Sequence, residues 1–163
     1  MSEHGIRTME TPIGNLSIHA TNVGIYKVSS EPNIENNKIG IEHLDDAERW
    51  LKGYFKKEIL EFPKFDFLSL SNFGLIVTNT LLENVKFGNT STYSELSLTA
   101  NRPGASRAVG TIMKNNSLPI IIPCHRIINK NNYIGNYSFN KGLTTKKWLL
   151  MHEGIKIQDS HVV

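Results

Sequence analysis

The sequence predicts an α/β chain of the α+β kind, with a small N-terminal antiparallel β-sheet lobe carrying one helix, followed by a mainly helical C-terminal lobe. Three observations carry this. Short apolar segments separated by turn residues fill the start of the chain, whereas helical spacing dominates from residue 73 onward. Charge divides at the same place: residues 1–72 hold 8 Lys+Arg against 11 Asp+Glu, and residues 73–163 hold 10 against 4. A length of 163 residues suffices for one compact unit with two lobes. The expected division is therefore 1–72 for the first lobe, 73–158 for the second, and 159–163 as a tail.

In the first lobe, ETPIGNLSIHATNVGIYKVSS reads as a β-hairpin or meander, punctuated by Ile-Gly-Asn and Asn-Val-Gly. Strands this short need cover on one face. The stretch AERWLKGYFKKEI supplies it, with Trp50, Leu51, Tyr54, Phe55 and Ile59 at helical spacing and Asp45 or Asp46 as N-cap. That aromatic stripe reads as core. EFPKFDFLSLSN, with Pro63, is an irregular connector.

The second lobe opens with FGLIVTNTLLENVKFGN, a helix closed by Gly88. A short helix over 93–98, a turn over 101–104 and a helix over 105–114 give a helix-turn-helix outline carrying Arg107 and Lys114. Such outlines recur by chance, so DNA binding is one reading among others. After Pro119 the β-branched run Ile120–Ile122 predicts a short buried strand that emerges into a loop at Cys124. INKNNYIGNYSFNKGL is loop by composition, and LTTKKWLLMHEG is an amphipathic helix stopped by Gly154.

Cys124 is the only cysteine, so an internal disulfide, a CxxC redox pair and a thiolate zinc site are excluded. HEGIK lacks the second histidine of an HExxH site, and neither GxGxxG nor a Walker loop is present. No apolar stretch of about 18 residues suggests a membrane span, and the N-terminus has no signal-peptide core. An intracellular protein without membrane partners is expected. The basic second lobe is equally consistent with a polyanionic partner and with a solvated basic face.

An ordinary thiol, with a pKa near 8.5, is a few per cent ionised at neutral pH, a deficit of about 2 kcal/mol against full ionisation. A base must supply it. His125 follows directly, yet in extended chain adjacent side chains point to opposite faces, so a bend or a bridging water is needed. Glu153, one of four acids in the second lobe, is the candidate to orient His125. Asn116 can tie loops together through its amide. A lone cysteine is also commonly a small buried hydrophobe.

IIIPCHRII, preceded by Tyr93, SRAVG and Asn116 and followed by GNYS and KKWLLMHEG, resembles the O6-alkylguanine-DNA alkyltransferases over residues 73–154. PCHR at that spacing is highly specific; the first lobe is similar only loosely. The resemblance implies a winged helix-turn-helix-like motif and repair of DNA by stoichiometric, irreversible transfer of an alkyl group from flipped-out O6-alkylguanine, and from O4-alkylthymine, to Cys124. By position it makes Cys124 the nucleophile, His125 its base through water, Glu153 the group orienting His125, and Asn116 the brace of the loop. Tyr93, Ser138 and the main chain of Ile127 would hold the base. Arg107 would fill the gap in the stack, with Ser94, Arg102 and Lys130 on the DNA backbone and the helix in the minor groove of double-stranded DNA. A monomer is expected, in the nucleus of a eukaryote or the cytoplasm of a prokaryote.

Departures from the family are also visible. Some members bind zinc through first-lobe cysteines; none exist here, so no metal and no cofactor are expected. Thr78 stands where an aromatic residue is common. The segment between Tyr137 and Gly142 is longer than in many relatives, and Phe139, where many have glycine, predicts a poor fit for bulky adducts. Two rival readings are a lesion-binding protein that does not repair, for which relatives carry tryptophan in place of the cysteine, and a Cys-His hydrolase using Cys124, His125 and Glu153.

Overall fold

A computed structural model describes residues 3–33 and 38–163. Two compact units divide the chain, Met1–Ser69 and Leu70–Val163. The boundary falls ahead of residue 72 because Ser71 caps the helix that follows, its hydroxyl accepting from Gly74 N at 3.0 Å.

In the first unit, β1 (Gly5–Thr11), β2 (Gly14–Ala20) and β3 (Ile25–Ser29) form an antiparallel sheet in that order. Helix α1 (Ile41–Phe55) packs on β1 and β2, burying Leu44, Trp50, Leu51 and Tyr54 with Leu16 and Ile18. Sequence spacing starts this helix too late. Its N-cap is Gly40, at φ 64°, where a Cβ would meet Thr21 O at 2.5 Å; only glycine fits such a close, left-handed entry. Asp45 and Asp46 lie within the helix and pair with Arg7 and Arg49. Ile59 is not part of the stripe: it is 95% exposed. Lys57 turns left-handed, and Glu58 N returns to Gly53 O at 2.8 Å, reversing the chain before Ile59 can reach the core.

The second unit contains α2 (Asn72–Asn84), β4 (Ser91–Thr92), α3 (Tyr93–Thr99), α4 (Ser106–Lys114), a single 3₁₀ turn over Cys124–Arg126, β5 (Ile127–Ile128), α5 (Leu143–His152) and a hairpin of β6 (Ile157–Gln158) and β7 (His161–Val162). Thr92 and Glu95 form a reciprocal capping box at the start of α3. Between α3 and α4 the turn is held by buried Ser97, whose hydroxyl donates to Arg102 O and accepts from Ala105 N, with Asn101 and Gly104 at positive φ. The helix-turn-helix outline is thus an actual packed pair. Residues 159–163 are not a tail, because β7 closes the hairpin and Val162 joins the cluster of Ile128, Ile134 and Leu150.

The run Ile120–Ile122 is no strand. Ile120 sits at φ 73°, and Ile122 N bonds Leu118 O at 2.9 Å, so the segment is a buried turn. All three side chains are buried. Propensity for strand reflects packing on a pleated surface, and here that surface is missing. The short strand comes later, where β5 pairs in parallel with β4. Among the described residues, no helix is long and apolar enough to cross a membrane.

Candidate active site

Cys124 opens the 3₁₀ turn at the floor of a cavity of about 330 Å³. Tyr93 at the start of α3 lines it with Gly110, Met113 and Lys114 of α4, as does the loop 136–139, and Asn116, Pro119 and Lys146 complete it. The helix-turn-helix therefore borders the thiol directly.

Asn116 holds the turn in place. Its Nδ2 donates to Ile122 O at 2.8 Å and to Cys124 Sγ at 3.1 Å, while its Oδ1 accepts from Leu118 N at 3.0 Å. One amide thus replaces the ladder bonds that a strand would have made, and aims the sulfur. Cys124 N also bonds Ile122 O at 2.8 Å.

Beneath the thiol lies a buried charged network. His125 Nε2 meets Glu153 Oε2 at 2.5 Å, and Arg126 Nε donates to Glu153 Oε1 at 2.8 Å. Gly88 N donates to the same oxygen at 3.0 Å, and Arg126 Nη1 donates to Val85 O at 2.8 Å. Helix α5 brings Glu153 to its end, as C-cap, and the turn after α2 supplies Val85 and Gly88. Burial alone would raise the Glu153 pKa, but the bond from His125, the charges of His125 and Arg126 and the Gly88 N–H outweigh it and hold the carboxyl at about 2. An ionised carboxylate only accepts. The hydrogen on Nε2 therefore belongs to His125, and in the neutral imidazole Nδ1 carries the lone pair.

Burial pushes the His125 pKa down, against the pull of Glu153, so the ring is neutral at physiological pH. Burial likewise pushes the Cys124 thiol up, partly offset by the Asn116 hydrogen bond, the Lys146 charge and the nearby Tyr137 hydroxyl. The resting site is a protonated thiol beside a neutral base. Lys146 is 1% exposed, its Nζ donates to Ile127 O at 2.7 Å, and burial lowers its pKa to about 8.

The residues singled out in the sequence fall into three places. Cys124, Asn116, Tyr93 and Ser138 line one cavity; His125 and Glu153 lie paired and buried. Ile127 is wholly buried and does not line the cavity, and its carbonyl accepts from Lys146 Nζ. Ser94, Arg102 and Arg107 are exposed along α3, the turn and α4, and Lys130 is exposed beyond β5, none of them lining the cavity. Sequence reasoning missed Lys146 and Tyr137, and took Arg126, the last letter of PCHR, only as a positive charge next to the thiol and its base. Lys146 stood out only as basic charge.

Residues 75–155 match the family described as 6-O-methylguanine DNA methyltransferase, DNA binding domain. The chain is 34% identical over 168 residues to the methylated-DNA–protein-cysteine methyltransferase of Homo sapiens, covering 92% of this chain and 80% of that protein. To the protein of the same name from Methanosarcina acetivorans it is 33% identical over 151 residues, covering 89% and 95%. The crystal structure of Mycobacterium tuberculosis OGT in complex with DNA superposes with a TM-score of 0.77 at 28% identity, covering 91% of this chain and 92% of that one.

Proposed function

The chain belongs to the methylated-DNA–protein-cysteine methyltransferase family, and we propose that it repairs DNA by moving the alkyl group of O6-alkylguanine, and of O4-alkylthymine, onto its own Cys124. The observation that carries this reading is the chain's only cysteine, held by Asn116 in a cavity bordered by a helix-turn-helix and backed by the His125–Glu153 pair.

The step balances without a cofactor. His125 takes the thiol proton through a water molecule, Glu153 stabilises the imidazolium, and the thiolate displaces the alkyl carbon from O6. Carbon–sulfur bonding replaces carbon–oxygen bonding, the bond pair goes to the base, and the base regains a proton to leave ordinary guanine. The thioether has neither a leaving group nor a second nucleophile to release it, so each molecule repairs one lesion. Tyr93, Ser138 and the main chain of Cys124 and Ile127 hold the flipped base, with Asn116 bracing the loop. Ser94, Arg102 and Lys130 grip the DNA backbone as α4 enters the minor groove.

The test is incubation with O6-methylguanine duplex followed by peptide mass analysis. One methyl group on the Cys124 peptide is expected, and an unmodified peptide under conditions of proven binding would leave only a lesion-binding protein.

Two further outcomes follow from the same assignment. Arg107 occupies the space of the extruded base, and flipping costs a few kcal/mol; Arg107→Ala should slow repair of duplex roughly tenfold or more. Reaction with free O6-methylguanine, which needs no flipping, should be nearly unaffected; equal slowing on both substrates would remove Arg107 from that role. The rate should also stay level as pH falls through 6.5, because the His125 pKa lies below its ordinary value of 6.5 and the base remains neutral. The level region should end at about pH 8, where Lys146 loses the charge that supports the thiolate. Single-turnover rates across pH 5 to 9 decide it; a loss of rate on acidification that is centred at or above pH 6.5, the ordinary histidine pKa, counts against it.

A further inference from the structure

We propose that Thr145, by clamping the 139–142 loop, fixes Phe139 as a wall of the cavity beside Cys124 and so restricts the protein to small alkyl adducts. The inference rests on the alkyl-transfer reading and deepens it.

The cavity bounded by Phe139 is the one that holds the sulfur. Since the alkyl group ends on Sγ, the residues closest to Sγ bound the space it occupies. Tyr137 is one of them, lining the same cavity as Cys124 and near enough to favour the thiolate. Phe139 stands edge-on to the Tyr137 ring, with centroids 6.2 Å apart at 86°. The two rings together therefore close the alkyl end of the pocket with rigid aromatic surface.

An exposed loop of this composition would ordinarily let such a ring swing aside. This one is tied down. Gly142 N returns to Phe139 O at 2.9 Å, closing a tight turn with Asn140 at φ 55°. Asparagine tolerates that left-handed backbone. Thr145, 3% exposed in the first turn of α5, then receives two hydrogen bonds on one hydroxyl oxygen, from Asn140 Nδ2 and from Lys141 N, each at 3.1 Å. A buried hydroxyl on an apolar helix face needs such partners, and both come from this loop. Lys146 N bonds Gly142 O at 3.1 Å, joining the loop to α5 at its other end. The turn that carries Phe139 is thus held from its middle and its end by the same helix that positions Lys146 and Glu153. Thr145 touches neither substrate nor sulfur, so it is a positioning residue.

The experiment compares single-turnover rates on duplexes carrying O6-methylguanine and O6-benzylguanine. The readout is their ratio, which a general loss of stability would not move in one direction. Phe139→Ala should raise the benzyl-to-methyl ratio at least tenfold. Thr145→Val, which keeps the shape and removes the acceptor, should raise it in the same direction, and Thr145→Ser, which restores the hydroxyl, should return it to the wild-type value. An unchanged ratio in F139A, with methyl transfer retained, overturns the inference and leaves the function standing. A raised ratio in F139A with none in T145V overturns the clamp. Absence of methyl transfer in the wild-type protein defeats the functional reading itself.

Discussion

With Cys124 replaced by alanine, the protein should take up no methyl group from O6-methylguanine DNA while still binding the duplex. The loss is total because no other side chain in the cavity can replace a thiolate: Tyr93 is a phenol whose pKa burial raises, and Lys146 is held charged at neutral pH with its Nζ bonded to Ile127 O. Cys124→Ser should fail equally, since an alcohol beside a neutral imidazole ionises far less than a thiol. Binding should survive, because the exposed Ser94, Arg102 and Arg107 do not depend on the sulfur. Stability should fall by only about 1 kcal/mol, the scale of removing one small buried group. Asn116 keeps its bonds to Ile122 O and Leu118 N in the variant. Peptide mass analysis, a duplex-binding titration and a denaturation curve check the three parts. A methylated C124A protein would remove Cys124 from its role. Wild-type protein that repairs several equivalents of DNA per molecule would turn the argument toward a turnover enzyme.

Much of the site was legible because its chemistry is crowded into short stretches. Cys124 and His125 are neighbours, and Glu153 closes the last helix beside Gly154, whose φ of 88° marks the stop. The α3–turn–α4 unit was legible for a similar reason: Asn101 and Gly104, the two residues needing positive φ, lie between two apolar periodicities. Local chemistry is visible locally.

The remainder depends on partners far away in the chain. Arg126 and Lys146 look like surface cations in sequence, and nothing nearby says otherwise. Arg126 is buried because Val85, 41 positions away, offers a carbonyl, and Lys146 because Ile127, 19 positions away, does the same. The Ile120–Ile122 turn was misread for the opposite reason: its local signal is strong but is overridden by an Asn116 side chain that satisfies the backbone in place of a neighbouring strand. Asp45 and Asp46 mimic an N-cap, whereas their carboxylates answer to Arg7 and Arg49. The loop clamp at Thr145 was equally hidden, since a threonine in the first turn of a helix gives no sign of being a buried acceptor.

Replacing Glu153 by glutamine should both destabilise the protein and slow transfer by roughly 10²–10⁴-fold, the usual share of positioned acid–base catalysis. Glu153 accepts three bonds, from His125, Arg126 and Gly88. Glutamine has the same shape but offers one accepting oxygen and an amine. Whichever way it turns, that amine faces either the His125 N–H or the Arg126 guanidinium, and Arg126 is left as a buried charge without its counter-ion. Breaking such a pair from one side costs about 3–5 kcal/mol. The His125 tautomer is no longer imposed, which removes the oriented base. Acid separates this from ordinary packing damage. The folded carboxyl titrates at about 2, against an ordinary value of 4.5, so unfolded chains bind the proton first as pH falls. Ionised Glu153 therefore contributes stability that is complete above pH 4.5 and is lost as pH falls toward 2, in total on the order of 3 kcal/mol. Urea unfolding of wild type and E153Q at pH 7, 4 and 3 should show the gap between them narrowing over the two acid steps. A gap that stays constant from pH 7 to pH 3 would mean that the carboxylate's charge does not hold this network together, and that His125 takes its orientation from elsewhere.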